Sequence, residues 1–221
     1  MTASLIVIAK EPQPGLSKTR LTPPLTPEQA ASVAEASLLD TLQAVAATPA
    51  RRRILALEGR PGSWLPEGFE VVKQRGGNLA ERLAGAFADA PGPAFLLAMD
   101  TPQVTPDLLA HALGLLDDPQ GPGAVLGRCP DGGYWGIGLR RPDPAVFAGV
   151  PMSSEATGSV QRDRLNALGL KTETLCELED VDTLSSARAV ALAAPGTHFA
   201  AALKASGHAS DHGESVAETA A

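Results

Sequence analysis

The sequence predicts an α/β fold, a mostly parallel sheet with helices on both faces. Three observations carry that prediction. Apolar runs of strand length alternate with helical patterns, which is the signature of βα units. Several of those runs are continuously apolar, as in strands covered on both sides. The residues with chemical potential follow strand ends, where open α/β sheets bind their ligands.

The first strand is Leu5 to Ala9, and a loop rich in Pro and Gly follows it from Glu11 to Pro24. Thr26, Pro27 and Gln29 make a capping box with proline at the first helical position, so a long helix opens there. Ala30, Val33, Ala34, Ser37, Leu38, Thr41, Leu42 and Val45 share one face of it at helical spacing. Ile54 to Leu57 and Phe69 to Val72 read as the second and third strands. Asn78 and Glu81 signal a second helix, carrying Leu79, Leu83, Ala86 and Phe87 inward. Ala94 to Met99 is another continuous apolar strand, ending in Asp100. Thr105, Pro106 and Asp107 open a third helix. Gly123 to Gly127, Tyr134 to Leu139 and Thr172 to Cys176 read as further strands, and Ser185 to Ala194 as the last helix. Residues 1–205 are read as one domain. The stretch 206–221 lacks apolar periodicity and is expected to be a disordered tail.

Composition narrows the function. The chain has 221 residues, 44% of them hydrophobic, enough for one substantial core. The net charge of -7 argues against nucleic-acid binding, which needs a basic face. Cys129 and Cys176 are too few and too far apart for a disulfide framework or zinc cluster, and read as reduced thiols in or near strands. The apolar run at Leu5 to Ala9 has no basic region before it and is too short to span a bilayer. A cytoplasmic protein without a membrane partner is expected, as a monomer or homodimer.

Six constellations could carry chemistry. Lys10, Lys18 and Arg20 place three cations just after the first strand, with Gly15 among prolines. Such a loop suits a polyphosphate, Arg as a planar fork and Lys as a point charge. It is not a Walker A loop, and the spacing alone leaves a solvated surface loop open. Asp100 ends a buried strand, where a carboxylate can hold Mg²⁺ (or Mn²⁺) bridged to phosphates. Asp180 and Asp182 alternate on an extended segment, so both can face one cation, although Asp182 could equally cap the next helix. Asp131, Gly132, Gly133 and Tyr134 combine a turn that can offer N–H groups to an anion with an aromatic in an aromatic-poor chain. Gln74, Gly76, Gly77 and Asn78 lead into a helix N-terminus, which favours anions. Ser153, Ser154 and Thr157 cluster hydroxyls before a helical stretch. No serine–histidine–aspartate arrangement stands out among four histidines, of which His208 and His212 are expected in the solvated tail.

In order, the motifs Lys-x-Pro-x-Pro-Gly-x-x-Lys-Thr-Arg-Leu, Asp-Thr-Pro, Asp-Gly-Gly-Tyr and Asp-Val-Asp-Thr resemble a bacterial family described as DUF2064, or glycosyltransferase-like. That family lies within the nucleotide-diphospho-sugar transferase superfamily. The chain is more distantly similar to phospholactate and molybdenum-cofactor guanylyltransferases. The resemblance covers about residues 4 to 195. It implies a GT-A-type Rossmann-like fold. It also implies that Lys10, Lys18 and Arg20 grip a triphosphate, that Asp100 and Asp182 bind metal with Asp180 as a reserve, and that Gly76 and Gly77 lie near the base. Asp131 to Tyr134, with Ser154 and Thr157, are assigned to the acceptor. Many GT-A glycosyltransferases carry Asp-x-Asp at the central strand end, where this chain has Asp100-Thr101-Pro102. The expected activity is therefore Mg²⁺-dependent nucleotidyl transfer from an NTP to a small phosphorylated acceptor, with glycosyl transfer from a nucleotide sugar as the alternative.

Overall fold

A computed structural model describes residues 2–209. Seven strands form one sheet: β1 (Ser4–Lys10), β2 (Arg53–Glu58), β3 (Glu70–Lys73), β4 (Ala94–Ala98), β5 (Ala124–Arg128), β6 (Tyr134–Leu139) and β7 (Thr172–Leu175). Their order is β3-β2-β1-β4-β6-β5-β7. All neighbours pair in parallel except β6, which runs antiparallel to both β4 and β5. The helices are α1 (Pro27–Ala47), α2 (Leu79–Ala88), α3 (Pro106–Asp117), α4 (Thr157–Ala167), α5 (Leu184–Ala193) and α6 (His198–Ala205). This is the mixed, mostly parallel α/β architecture that the alternation predicts. None of the described helices is long and apolar enough to cross a membrane.

Strand pleating sorts the core into two layers. On one face Leu5, Val7, Leu55, Phe95 and Leu97 pack under Leu38 and Leu42 of α1 and Leu109 and Leu113 of α3. On the other, Ile6, Ile54, Leu96 and Ile137 meet Leu83 and Phe87 of α2, Phe147, and Leu165 of α4. A third cluster sits outside α1, where Leu21, Leu25, Val33, Val181, Val190, Phe199 and Leu203 join the β1–α1 loop to α5 and α6. That cluster ties the loop after β1 to the segment around Val181.

Helix starts follow the capping signals. Thr26 and Asn78 each complete a capping box, with Gln29 and Glu81 respectively, and Thr105 accepts from the Leu108 N–H. The helix α6 has no counterpart in the sequence reading. It spans eight residues, too few to be stable alone. Docking holds it: the Asp40 carboxylate on α1 accepts the backbone N–H groups of His198 and Phe199 at 3.0 and 2.8 Å. Residues following it are also engaged, since Gln29 donates to the Ser206 carbonyl and Arg188 to that of His208. Residues 210–221, most of the expected disordered tail and including His212, lie outside the described residues.

Candidate functional site

The parallel strands β1 and β4 direct their carboxyl ends to one edge of the sheet. There the loops after β1, β4, β5 and β7 meet around a cavity of about 740 Å³. Lys10, Arg20, Gln74, Asp100, Asp131, Gly133, Tyr134, Ser154, Thr157, Asp180 and Asp182 line it. Lys18 lines an adjoining recess of about 230 Å³ together with Lys10, Arg20, Asp100 and Asp182. Most of the sequence-predicted site residues therefore converge, although they come from segments up to 172 positions apart.

The β1 loop meets the acidic segments through two ion pairs. Lys18 Nζ lies 2.6 Å from Asp100 Oδ2 and also donates to the Val181 carbonyl. The Lys18 side chain is only 10% exposed, so this ammonium is held rather than solvated. Its backbone sits in the left-handed region at φ 48, which costs a non-glycine residue and is common where a site dictates the chain path. Arg20 pairs with Asp182 Oδ2 nearer the surface. Lys10 is more remote. It reaches Glu58 at 3.4 Å with its side chain 66% exposed.

Negative charge exceeds positive charge deeper in. The Asp180 carboxyl is pushed up to about 6, first by burial and then by the charges of Asp131 and Asp100, with Lys18 opposing and Asp182 adding. Cys129, at the end of β5, is buried and points at this group. Its sulfur and carboxylate oxygens of Asp131 and Asp180 lie within 4.8 Å of one another. Burial, followed by the charges of Asp180 and Asp131, raises the Cys129 thiol as well. A group of carboxylates with outward access, carrying more negative charge than the two cations offset, suits a divalent cation. Asp100, Asp180 and Asp182 are thus a chemically fitting donor set for Mg²⁺ or Mn²⁺.

Other predicted residues have structural employment. Gly132 and Gly133 do not present free N–H groups: Gly132 donates to the Cys129 carbonyl at 3.1 Å and Gly133 to Asp131 Oδ1 at 2.8 Å. The turn needs glycine because Gly132 has φ +90 and a Cβ there would collide with the Glu155 carbonyl. The start of α4 is correspondingly close, with Gly158 donating to the Gly132 carbonyl at 2.7 Å. Ser154 and Thr157 brace that junction, Thr157 Oγ1 accepting from the Ser154 N–H and donating to the Pro151 carbonyl. Tyr134 closes the inner wall, and burial raises its phenol. Gln74 ties strand ends together, its amide donating to the carbonyls of Ala9 and Ala56 at 2.6 and 3.0 Å. Gly76, Gly77 and Asn78 fall outside the cavity lining, and Glu81 takes the Gly77 N–H at 2.6 Å. Gly15, at φ +75 in the β1 loop, lines neither recess.

The cavity also contains residues that sequence reasoning passed over as site residues, among them Arg82, Met99, Cys129, Met152 and Glu155, together with Ser153 of the hydroxyl cluster. Cys129 had a local signal, a Cys-x-Asp spacing before the Gly-Gly turn. Arg82 had none, because its place on the second turn of α2 reads as an ordinary exposed helical face.

Three solved structures share the fold. A candidate nucleotide-diphospho-sugar transferase from Desulfovibrio desulfuricans G20 superposes with a TM-score of 0.82 at 24% identity, over 93% of this chain and 95% of its own. CMP:2-keto-3-deoxy-manno-octonic acid synthetase complexed with CTP gives 0.56 at 14% identity, over 88% and 99%. Rv0371C from Mycobacterium tuberculosis H37Rv in complex with manganese gives 0.50 at 21% identity, over 86% and 97%. No curated protein matches the chain in sequence. The family match runs from the first turns of α1 to Ser154, so it takes in Asp100 and the Asp131–Tyr134 turn but neither the β1 loop nor Asp180 and Asp182. Residues 31–154, over half of the chain, match the family described as "Uncharacterized protein conserved in bacteria (DUF2064)", and the chain belongs to that family.

Proposed function

We propose that the protein is a metal-dependent nucleotidyltransferase, moving an NMP group from an NTP to a small phosphorylated acceptor and releasing pyrophosphate. One observation carries this reading: the cations of the β1 loop are paired directly with the strand-end carboxylates, Lys18 with Asp100 and Arg20 with Asp182. A metal-bound triphosphate matches both halves of that arrangement at once. The carboxylates can ligate the metal, and the released cations can donate hydrogen bonds to phosphate oxygens. The CTP bound to one structural relative and the manganese bound to another support the same assignment.

In this reaction an acceptor phosphate oxygen attacks the α-phosphorus. The bond from that phosphorus to the bridging oxygen of the β-phosphate breaks, and pyrophosphate leaves with the electron pair. Asp100 and Asp182, with Asp180 beside them, would hold Mg²⁺ or Mn²⁺, which supplies positive charge next to the phosphates. Lys18 and Arg20 neutralise the departing pyrophosphate, and Lys10 adds a weaker field at the rim. The Asp131–Tyr134 wall and the Ser154–Thr157 junction shape the acceptor side. No protein nucleophile is required, since positioning and electrostatics carry such a transfer.

The test is to incubate the purified chain with each NTP, Mg²⁺ and a panel of phosphorylated acceptors, and to measure pyrophosphate. Acceptor-dependent release supports the proposal. A second reading, glycosyl transfer, draws on the likeness to the Desulfovibrio candidate nucleotide-diphospho-sugar transferase. Release of a nucleoside diphosphate from a nucleotide sugar, without pyrophosphate from any NTP, would select it. Nucleotide-dependent thermal stabilisation with no turnover under either regime would mark a binding module instead.

A further inference from the structure

We propose that Cys129, Asp131 and Asp180 form a cation site suited to a thiophilic divalent ion of the zinc class, adjoining the Asp100–Asp182 pair and sharing Asp180 with it. Two segments supply the donors: the β5–β6 turn, which carries Cys129 and Asp131, and the loop between β7 and α5, which carries Asp180. Their ligand atoms, one sulfur and two carboxylate oxygens, all lie within 4.8 Å of one another. Ligands sharing one zinc ion sit roughly 3–4 Å apart, given bonds of about 2.0–2.3 Å, so small side-chain rotations close the set.

Two acidic groups on a surface edge would not by themselves mark a site. Cys129 changes the case. It is 2% exposed, yet its sulfur takes part in no hydrogen bond among the described residues and lies against the two carboxylates. Cys129 packs with the apolar core on one side, while its sulfur faces the two carboxylates on the other, and a thiolate with carboxylates is a donor set that suits a soft to borderline divalent ion. The neighbouring charges are already committed differently. Lys18 occupies Asp100 and Arg20 occupies Asp182, while no ion pair within 4.0 Å reaches Asp131 or Asp180 among the described residues. Asp131 accepts one backbone N–H, from Gly133, which orients its carboxylate without neutralising it. All three donors line the large cavity, so an ion has a path in and retains an open coordination position toward it. Three protein ligands plus an open position is the pattern of reactive rather than purely structural zinc sites. The site stands whether or not nucleotidyl transfer is the reaction.

The experiment titrates the reduced, chelator-treated full chain with Cd²⁺ as a spectroscopic zinc analogue, following the thiolate-to-cadmium charge-transfer band. Zn²⁺ affinity is measured separately by competition with a chromophoric chelator. One equivalent of band is expected in the wild type and in Cys176→Ser, and none in Cys129→Ser. Asp131→Asn, at an exposed position that leaves the core intact, should weaken Zn²⁺ binding by about tenfold or more, and by more than Asp100→Asn, which removes a neighbouring charge but no ligand. A band that survives Cys129→Ser but disappears in Cys176→Ser would place the ion on the exposed thiol and overturn the proposal. So would the absence of a band from correctly folded wild type, or Zn²⁺ binding indifferent to Asp131→Asn. None of these readouts depends on nucleotide turnover, so the site and the proposed activity can fail separately.

Discussion

Replacing Lys18 by Met removes the ammonium and keeps most of the aliphatic stem. Two interactions go: the 2.6 Å pair with Asp100 and the hydrogen bond to the Val181 carbonyl. A hydrogen bond to a charged group contributes about 1.5–3 kcal/mol, and a buried carbonyl left without its donor costs about 1 kcal/mol or more. The Asp100 side chain keeps 31% exposure, so water recovers part of that loss. A net destabilisation of about 2 kcal/mol follows, or a drop in Tm of roughly 4–8 °C for a chain of this size. The assay is urea unfolding of Lys18→Met, Asp100→Asn and the double variant at neutral pH. If the pair works as the structure draws it, the double variant loses less than the sum of the singles by about 1 kcal/mol or more. Additivity within about 0.5 kcal/mol would refute the reasoning, because it would mean that Lys18 and Asp100 share no energy.

Asp100→Asn should lower acceptor-dependent pyrophosphate release by about a hundredfold or more while the chain stays folded by circular dichroism, the scale of losing a principal electrostatic stabiliser. Asp180 gives a pH signature. Its folded pKa of about 6 lies above the ordinary 3.8, so the native state holds the proton more tightly. The group's contribution to stability therefore falls as pH rises from about 4 to about 6 and stays low above that. Asp180→Asn should accordingly raise Tm at neutral pH and change it little near pH 4, and Mn²⁺-induced stabilisation of the wild type should grow as pH rises through about 6. Gly132→Ala combines φ +90 with a collision against the Glu155 backbone, and should cost about 2 kcal/mol or more by denaturant unfolding. Gly149→Ala, at φ +77 with open space around the new methyl, should cost only about 1 kcal/mol, the backbone strain alone.

Much of the fold was legible because its signals are local. The runs Leu5 to Ala9 and Ala94 to Met99 are continuously apolar and short, which fits covered strands rather than helices. Thr26, Asn78 and Thr105 cap their helices with groups three residues away. The α6 helix was not legible, because its stability comes from Asp40, 158 positions earlier, and from burial of Phe199 and Leu203. Among site residues, the Gly132–Gly133 turn was found for a partly different reason. Gly132 is demanded by its positive φ and the close approach of the segment entering α4, and the N–H groups of both glycines are already used within the protein.

By itself, the sequence determined the βα alternation, the strand ends at which chemistry can occur, and the residue types waiting there. Those follow from side-chain periodicity and capping, which act over a few residues. Only the tertiary structure decided which charges meet. Lys18 finds Asp100 across 82 positions and Arg20 finds Asp182 across 162 because the sheet brings separate strand ends to one edge. The same closure sets Cys129 against Asp131 and Asp180. Ion pairing and metal ligation depend on distances of a few ångströms, and for residues so far apart in the chain it is packing of the core that sets those distances.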